Sequence, residues 1–187
     1  MFKRKYIRTQ QKILVQRYQS PCGDIRIGSF KDQLCLCCWT EEKHPGRVLK
    51  RLQTYLHADF KSATSDVIRK TIIQLDEYFH GNRRYFDIPL LFVGTDFQQH
   101  VWQQLLDIPY GKVLSYKELS EQLGNPKGVR AVANANGANA IAIIVPCHRV
   151  IGSDHSLTGY AGGIETKRFL LELEQGNCEK SNEGIMV

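Results

Sequence analysis

Short apolar runs separated by turn residues open the chain. KILVQRY and IRIGSF flank the turn-forming cluster SPCGD, and LCLCCW follows the turn-like KDQ. Apolar runs this close together in sequence pair as antiparallel hairpins. The pattern therefore predicts three antiparallel strands at the start of the fold.

Two helices are predicted after these strands, because apolar residues then recur at helical spacing. The first is PGRVLKRLQTYL; the second is SDVIRKTIIQLDEYFHG, with Ser65 as the expected N-cap and Gly81 as the expected stop. The next segment, RRYFDIPLLF, fits either a fourth strand or an extended linker. Together these elements predict a small α/β unit, an antiparallel sheet with helices.

A domain boundary is expected near residues 93–95, where Gly94 interrupts the pattern. We therefore divide the chain into an N-terminal supporting domain at 1–93, a C-terminal domain at 94–176 and a loose tail at 177–187. The predicted fold class is α/β, in the α+β sense, with a sheet in the first half and mostly helices in the second.

The second half begins with TDFQQHVWQQLLDIPYG, which predicts a helix capped by Thr95. Its expected buried residues are Phe97, Val101, Trp102 and Leu105, with Leu106 left open. LSYKELSEQLG then places Ser115 and Glu118 at the spacing of a capping box, and KGVRAVANANG predicts a short helix ending at Gly137. Two short helices joined by a glycine-containing turn are typical of a helix-turn-helix, although many helix pairs share the pattern.

The second helix of this pair carries mostly small side chains and one long cation, Arg130. A helix this slim can lie close to a DNA backbone, even in a narrow groove. An Ala-rich helix packed tightly on its neighbour would have the same sequence. The helix alone favours neither interpretation.

Charge and hydropathy narrow the class of protein. The chain has 187 residues, a formal net charge of +6 and a pI of about 9.0, which indicates an acidic partner such as DNA or RNA. The excess is uneven, since residues 1–92 hold 17 basic and 9 acidic groups and residues 93–187 hold 8 and 10. No run of eighteen apolar residues and no signal-peptide core is present, which predicts a cytoplasmic protein that does not associate with membranes.

The six cysteines are expected to be thiols in the reducing cytosol. CLCC lacks the two-residue gap of a zinc knuckle, and its alternation is typical of small buried residues on a strand. His44, His57 and His80 are scattered without ligand spacing and are expected at the surface. No metal site is predicted.

IVPCHRV places a nucleophile, Cys147, beside a base, His148. Neighbouring side chains of an extended segment point to opposite faces, so a turn at Pro146 is needed to bring the two together. The preceding IAIIV predicts a short buried strand, and Glu174 on the last predicted helix, IETKRFLLELEQG, could orient the imidazole. An inert buried thiol is the alternative interpretation of the pair.

IVPCHRVIG, followed by TGYAGG, resembles the signature of the methylated-DNA–protein-cysteine methyltransferases, also called 6-O-alkylguanine-DNA alkyltransferases. IPYGKVLSYKELSEQLGNPKGVRAVANANGAN is similar to their helix-turn-helix region in order and spacing. The resemblance covers about residues 95–176, extends weakly through SPCGDIRIG, and is nearest to the bacterial stand-alone form. It implies a ribonuclease H-like N-terminal domain and a winged helix-turn-helix-like C-terminal domain.

The function implied by the resemblance is direct, single-step DNA repair without a cofactor. The family's cysteine takes the alkyl group from the 6-oxygen of guanine, and in some members from the 4-oxygen of thymine, so each molecule acts once. The implied partner is double-stranded DNA containing alkylated guanine, bound through its minor groove by a monomer. Because the duplex hides the reacting carbon, the base must leave the stack.

The reacting groups follow from the resemblance by position. Cys147 matches the alkyl acceptor, His148 the residue that takes its proton through a water, and Glu174 the carboxylate that holds the histidine. Tyr116 matches the tyrosine that pushes the 3′ phosphate and donates a hydrogen bond to the base. Asn139 matches the asparagine that braces the helix-turn-helix against the active-site strand.

The DNA contacts are also implied by position. Arg130 matches the arginine that fills the space left by the extruded base. The positions that match contacts to the DNA backbone are Gln98, Lys117, Asn125 and Ser153. Backbone contacts of this kind set the register of the protein on DNA rather than its sequence preference, and a slim helix suits the minor groove.

The substrate pocket implied by the resemblance surrounds the extruded base. The main chain of Val150 and Cys147 would bind the exocyclic amine of guanine, and Leu157 and Tyr160 would wall the alkyl group. Some members have serine where this chain has Ala161, so only the backbone N–H of Ala161 can assist at the 6-oxygen.

Two other functions stay open at this point. A lesion-binding protein would extrude alkylguanine without removing the alkyl group, but relatives of that kind replace the cysteine that this chain keeps. A thiol hydrolase would use Cys147 and His148 and would need neither Tyr116 nor Arg130. The predicted helix-turn-helix argues against the hydrolase.

Overall fold

A four-stranded sheet organises the N-terminal half. The structure, a computed structural model, describes residues 11–41 and 46–176, so the predicted tail, the basic start of the chain and His44 lie outside the described residues. The predicted hairpins are confirmed: β1 (Lys12–Ser20) pairs antiparallel with β2 (Gly23–Phe30), and β2 pairs antiparallel with β3 (Gln33–Trp39).

The fourth strand is not where the sequence suggested. β4 is Asp59–Ser62, which follows α1 (Arg47–Leu56) and pairs parallel with β1. The sheet order is therefore β3-β2-β1-β4, and the sheet is mixed rather than antiparallel throughout. RRYFDIPLLF is an extended linker; it meets β3 through the backbone pairs Leu34 N to Pro89 O and Leu91 N to Leu34 O, both 2.8 Å.

The long helix α2 (Asp66–Phe79) lies against this sheet and buries an apolar face that includes Ile68, Leu75 and Tyr78. Its predicted N-cap is confirmed, because the hydroxyl of Ser65 accepts a hydrogen bond from the backbone N–H of Ile68. The helix closes at His80, one residue before Gly81. α2 thereby holds Tyr78 at the inner side of the fold, facing the C-terminal half.

The C-terminal half is mostly helical, as predicted. Its elements are α3 (Asp96–Leu105), β5 (Leu114–Ser115), α4 (Tyr116–Gln122), α5 (Val129–Gly137), a 3₁₀ turn (Cys147–Arg149), β6 (Val150–Ile151) and α6 (Ile164–Gln175). α4 and α5 form the predicted helix pair, and β5 and β6 pair in parallel beside it. Both predicted caps are full capping boxes, at Thr95 with Gln98 and at Ser115 with Glu118.

One prediction about α3 is wrong. Phe97 was expected in the core, but 38% of its surface is exposed, since it lies in the first turn of the helix. The buried residues of α3 are Val101, Trp102 and Leu105. The indole N–H of Trp102 donates to the carbonyl of Ala135 on α5 at 2.8 Å, which fixes the two helices together.

IAIIV is a buried turn rather than the predicted strand. Ile143 has φ 71°, a left-handed conformation that β-branched residues rarely adopt. The side chain of Asn139 holds the turn: its Oδ1 accepts from Ile141 N at 2.9 Å and its Nδ2 donates to Val145 O at 2.9 Å. The turn is also tied to the sheet, because Ala142 N donates to Cys37 O at 2.7 Å and Cys37 N donates to Ala140 O at 2.8 Å.

The described residues contain no helix that is long and apolar enough to cross a membrane. Within the same ranges, no cluster of three or more His, Cys, Asp or Glu side chains has the arrangement of a metal site. Cys35 and Cys37 are fully buried on β3, as small apolar side chains would be. His57 and His80 are exposed.

Candidate active site

The PCHR segment forms the turn that the chemistry of Cys147 and His148 requires. Cys147 N donates to Val145 O at 2.8 Å and Arg149 N donates to Pro146 O at 3.0 Å, which closes the 3₁₀ turn. Neighbouring residues in such a turn are not forced onto opposite faces as they are in a strand. Cys147 is 6% exposed and His148 is fully buried, so both side chains point into the protein.

Glu174 lies behind this turn and is the common acceptor of several hydrogen bonds. Its carboxylate is buried on α6 and accepts five hydrogen bonds. The donors are His148 Nε2 (2.8 Å), Tyr78 Oη (2.8 Å), Arg149 Nε (2.9 Å), Arg149 Nη2 (3.0 Å) and Gly111 N (3.0 Å). A buried carboxylate is tolerated when its lone pairs are matched in this way.

Gly111 reaches the carboxylate because it lacks a side chain. Its φ is 72°, in the left-handed region, and a Cβ at this position would lie 2.9 Å from the carbonyl oxygen of Glu174. Any larger residue would push the loop away from α6 and remove one donor from the carboxylate.

The charge state of Glu174 follows from these partners. Burial alone would raise its pKa, but the hydrogen bonds and positive charges of His148 and Arg149 outweigh burial and lower the pKa to about 2. Glu174 is therefore ionised at neutral pH. An ionised carboxylate needs a proton on the nitrogen facing it, so neutral His148 carries its proton on Nε2 and leaves Nδ1 as an acceptor.

The free nitrogen of His148 suits a base. Nδ1 is buried and has no hydrogen-bond partner among the described residues. Burial lowers the pKa of His148, although Glu174 opposes this by stabilising the protonated ring. The imidazole is thus held neutral, fixed in one tautomer and able to take one proton.

Cys147 rests as a thiol. Burial raises its pKa, and a hydrogen bond from Asn139 and the positive charge of Lys167 oppose that rise. A thiol that is neutral at rest must lose its proton before it can act as a nucleophile. His148 is the neighbouring group that can accept this proton.

Lys167 is a buried cation that the sequence analysis did not assign. Its side chain is fully buried on α6, and its Nζ donates to Val150 O at 2.6 Å and to Thr158 O at 2.7 Å. Burial lowers its pKa to about 8. The ammonium thus ties β6 to the middle of the loop between β6 and α6. Its position one turn before Leu171 and two before Glu174 on the inner face of α6 is a signal that could have revealed it.

Tyr116 stands at the start of α4 and faces the reactive turn. Asn136 on α5 donates from Nδ2 to Tyr116 Oη at 3.4 Å and to Cys147 O at 3.3 Å. Burial raises the pKa of Tyr116 to about 12, so its hydroxyl keeps its proton. Since its oxygen accepts from Asn136, that proton can point toward a bound group.

The predicted pocket wall is built partly by the N-terminal half. Tyr160 is buried, and its Oη accepts a hydrogen bond from the indole N–H of Trp39 at 3.2 Å. Its ring also lies edge-on to His148, with centroids 6.5 Å apart. Leu157 and Ala161 are half-buried in the same loop, and Val150 is fully buried at its start.

The residues predicted to contact DNA lie at the surface of the helix pair and its neighbouring loops. Arg130, Lys117, Asn125 and Ser153 are exposed. Gln98 is half-buried and caps α3 through its Oε1, which accepts from Thr95 N at 3.0 Å. The structure therefore brings Cys147, His148, Glu174, Asn139 and Tyr116 together and leaves Arg130 and three of the four predicted backbone-contacting residues exposed at the surface.

The comparisons with known proteins agree with this geometry. Residues 96–176 match the family model described as the DNA-binding domain of 6-O-methylguanine DNA methyltransferase. A methylated-DNA–protein-cysteine methyltransferase of Methanosarcina acetivorans is 51% identical over 161 residues, which cover 86% of this chain and 97% of that protein. The chain belongs to the methylated-DNA–protein-cysteine methyltransferase family.

Solved structures of methylated-DNA–protein-cysteine methyltransferases share the fold. The crystal structure of the 6-O-methylguanine methyltransferase of Mycobacterium tuberculosis is 40% identical, has a TM-score of 0.75, and the match covers 90% of this chain and 96% of that one. The Mycobacterium tuberculosis protein in complex with DNA is 40% identical with a TM-score of 0.74, over 89% and 94% of the two chains. The α/β fold class is thereby confirmed over both halves of the described structure.

Two residues of the site lie outside the part of the chain that matches the methyltransferase DNA-binding model. Tyr78 and Trp39 belong to the N-terminal half, whereas Cys147, His148 and Glu174 lie within 96–176. Sequence reasoning missed both, because an aromatic residue on the apolar face of a helix or strand has the pattern of an ordinary core residue.

Proposed function

We propose that Cys147 is the residue that accepts the methyl group in this chain. The family's reaction is repair of 6-O-methylguanine in DNA by methyl transfer to a protein cysteine. The observation that supports Cys147 is the buried arrangement of its thiol beside His148, with the other nitrogen of His148 bonded to Glu174.

The reaction balances with the groups present. His148 takes the thiol proton through its free Nδ1, and the sulfur of Cys147 attacks the methyl carbon. A sulfur–carbon bond forms while the bond from that carbon to the 6-oxygen of guanine breaks. The leaving guanine gains a proton, for which we assign Tyr116 as the donor. The proton taken by His148 is then released to solvent, from which the phenol recovers its own, and the products are unmodified guanine and a thioether. The thioether has no step that would restore the thiol, so each molecule reacts once.

The DNA must present the base outside the duplex. Cys147 is 6% exposed, and a base inside the helical stack cannot reach a sulfur at this depth. Arg130, exposed on the slim helix α5, is suited to fill the gap in the stack, and the small side chains of α5 suit a minor groove. We place the protein in the cytoplasm as a monomer, with the 4-oxygen of alkylated thymine as a second candidate substrate.

The proposal is tested by the mass of the intact protein after incubation with a methylated duplex oligonucleotide. The protein should gain one methyl group, and peptide mapping should locate it on Cys147. A Cys22→Ala variant is the matched control, since Cys22 is a half-buried thiol outside the site and its removal should leave the methyl gain unchanged. A methyl group on a different cysteine, or none on a folded protein, would exclude Cys147 as acceptor.

Arg130→Ala should slow repair in duplex DNA by about tenfold while leaving the reaction with free 6-O-methylguanine almost unchanged, because unstacking a base costs a few kcal/mol that a free base does not need. The measurement is the single-turnover rate of label transfer from each substrate. Lys127→Ala is the control. It removes one exposed cation from the same segment, so it should weaken only the salt-dependent part of the DNA affinity. Equal losses on both substrates would contradict an extrusion role for Arg130.

A further inference from the structure

Tyr78 connects the N-terminal half to the reacting groups. It lies on α2, is fully buried, and donates its hydroxyl proton to Glu174 Oε1 at 2.8 Å. The same carboxylate oxygen accepts from His148 Nε2 at 2.8 Å. Two hydrogen bonds of equal length thus meet on one oxygen, one from the proposed base and one from a helix outside the segment that matches the DNA-binding domain model.

The direction of the hydrogen bond is fixed by chemistry. An ionised carboxylate accepts only, so the phenol must be the donor. Burial, and then the negative charge of Glu174, raise the pKa of Tyr78, so the hydroxyl is protonated wherever the protein is folded. The phenol ring is itself held by edge or tilted contacts with Phe79, Phe86 and Tyr110.

We propose that Tyr78 is a positioning residue for methyl transfer: its hydroxyl holds Glu174 Oε1 opposite His148 and takes a share of the negative charge that His148 would otherwise face. The inference rests on the proposed role of His148 as the base. It gives the N-terminal half a part in the reaction beyond supporting the fold.

The consequence concerns the pH at which His148 becomes charged. Oε1 of Glu174 accepts hydrogen bonds from Tyr78, His148 and Arg149 Nη2. Each of these hydrogen bonds stabilises part of the negative charge on Oε1. Without the Tyr78 hydroxyl, Oε1 stabilises the protonated imidazole more strongly, so the pKa of His148 rises. Only neutral His148 can take the thiol proton. The decline of the rate toward acid pH should therefore begin at a higher pH than in the unmodified protein.

Other charged and titratable groups face the same pair and must stay constant in the comparison. They are Cys147 and Arg149 on the 3₁₀ turn, Tyr160 in the loop before α6, Lys167 on α6 and Tyr110 before β5. A change of Tyr78 to phenylalanine removes one hydroxyl and keeps the ring that contacts Tyr110.

The experiment compares Tyr78→Phe with the unmodified protein. The single-turnover rate of methyl transfer is measured from about pH 5 to pH 9, and the ring of His148 is titrated by NMR over the same range. The acid side of the rate profile and the His148 titration should both move up by roughly half to one pH unit, so the variant is about three- to tenfold slower on that side and equal above it.

Tyr18→Phe is the matched control. Tyr18 also donates to a carboxylate on α2, Asp76, at 2.7 Å, but this pair lies away from the site. The variant should lose stability like Tyr78→Phe and keep the original profile. In the opposite sense, 3-fluorotyrosine at position 78 keeps the ring and donates more strongly, so both curves should move down, which also tests the proposal if Tyr78→Phe does not fold.

Two results would overturn the proposal. One is a folded Tyr78→Phe whose rate profile and His148 titration coincide with those of the unmodified protein. The other is a fluorinated protein that shifts in the same direction as the phenylalanine variant. If the unmodified protein transfers no methyl group to Cys147, the proposed function fails, whereas the NMR titration of His148 still decides the role of Tyr78.

Discussion

Glu174→Gln should remove most methyl transfer and destabilise the fold at the same time. The carboxylate is buried and is the only described acceptor for Arg149 Nε, and it orients His148. A glutamine has the same shape but only one acceptor oxygen. Its amide N–H groups would face donors that now bind the second carboxylate oxygen. The guanidinium of Arg149 is then buried without its counter-charge, which costs about 3–5 kcal/mol.

The rate should fall with the stability because the imidazole loses its fixed orientation and charge support. General bases contribute about 10²- to 10⁴-fold to a reaction, and we expect a loss in that range for Glu174→Gln. Single-turnover label transfer measures the rate, and urea unfolding measures the stability. Glu172→Gln, an exposed change on the same helix, should alter neither. A near-normal rate in Glu174→Gln would show that His148 does not depend on the carboxylate.

The same carboxylate sets part of the acid sensitivity of the fold. Its pKa is about 2 in the folded protein against an ordinary value of 4.5. The lowered value means that Glu174 stabilises the fold fully above pH 4.5, and that this contribution is lost as the pH falls from 4.5 toward 2. Unfolding free energies of Glu174→Gln should therefore depend less on pH across that interval.

Lys167→Met is expected to have the second-largest effect. The side chain has similar length, but it cannot donate to Val150 O or Thr158 O. The buried carbonyl of Val150 and the more exposed carbonyl of Thr158 lose their donor, which should lower the free energy of unfolding by roughly 1–3 kcal/mol. The loop that carries Leu157 and Tyr160 loses its clamp, and the forming thiolate of Cys147 loses a positive charge.

Methyl transfer by Lys167→Met should consequently slow by about hundredfold, the scale of losing one placed charge beside a developing anion. Arg168→Met is the control, because Arg168 is the next residue, is exposed and, within the described part of the chain, pairs with exposed Glu165. Binding of methylated duplex DNA should change little in either variant. A large loss of DNA binding with an unchanged transfer step would contradict this explanation for Lys167.

Local sequence signals predicted much of the fold. The capping box of Ser115 with Glu118 and the N-caps at Thr95 and Ser65 all depend on side chains within a few residues of each other. Short-range chemistry of this kind is visible in a single sequence. Glu174 was named as the partner of His148 from its place on the last predicted helix and from the resemblance to the methyltransferase family.

Elements defined by distant partners were missed for a physical reason. β4 has four residues, only one of them large and apolar, and it is a strand because β1 lies beside it. The apolar run IAIIV predicted burial but could not predict the backbone conformation. The φ of 71° at Ile143 is imposed by Asn139 and Cys37, which lie outside the run. Tyr78 is the corresponding case in the site, because its hydroxyl donates to Glu174, which lies 96 residues away in the sequence.

The backbone pairing of Cys37 with Ala140 and Ala142 has a practical meaning for hybrid proteins. A fusion that joins the first half of one relative to the second half of another must preserve this pairing, together with the phenol at position 78 and the indole at position 39. Exchanges made only at the chain junction would bring two mismatched surfaces together along this pairing. A successful hybrid would have to take Cys37 and its backbone partners Ala140 and Ala142 from the same relative.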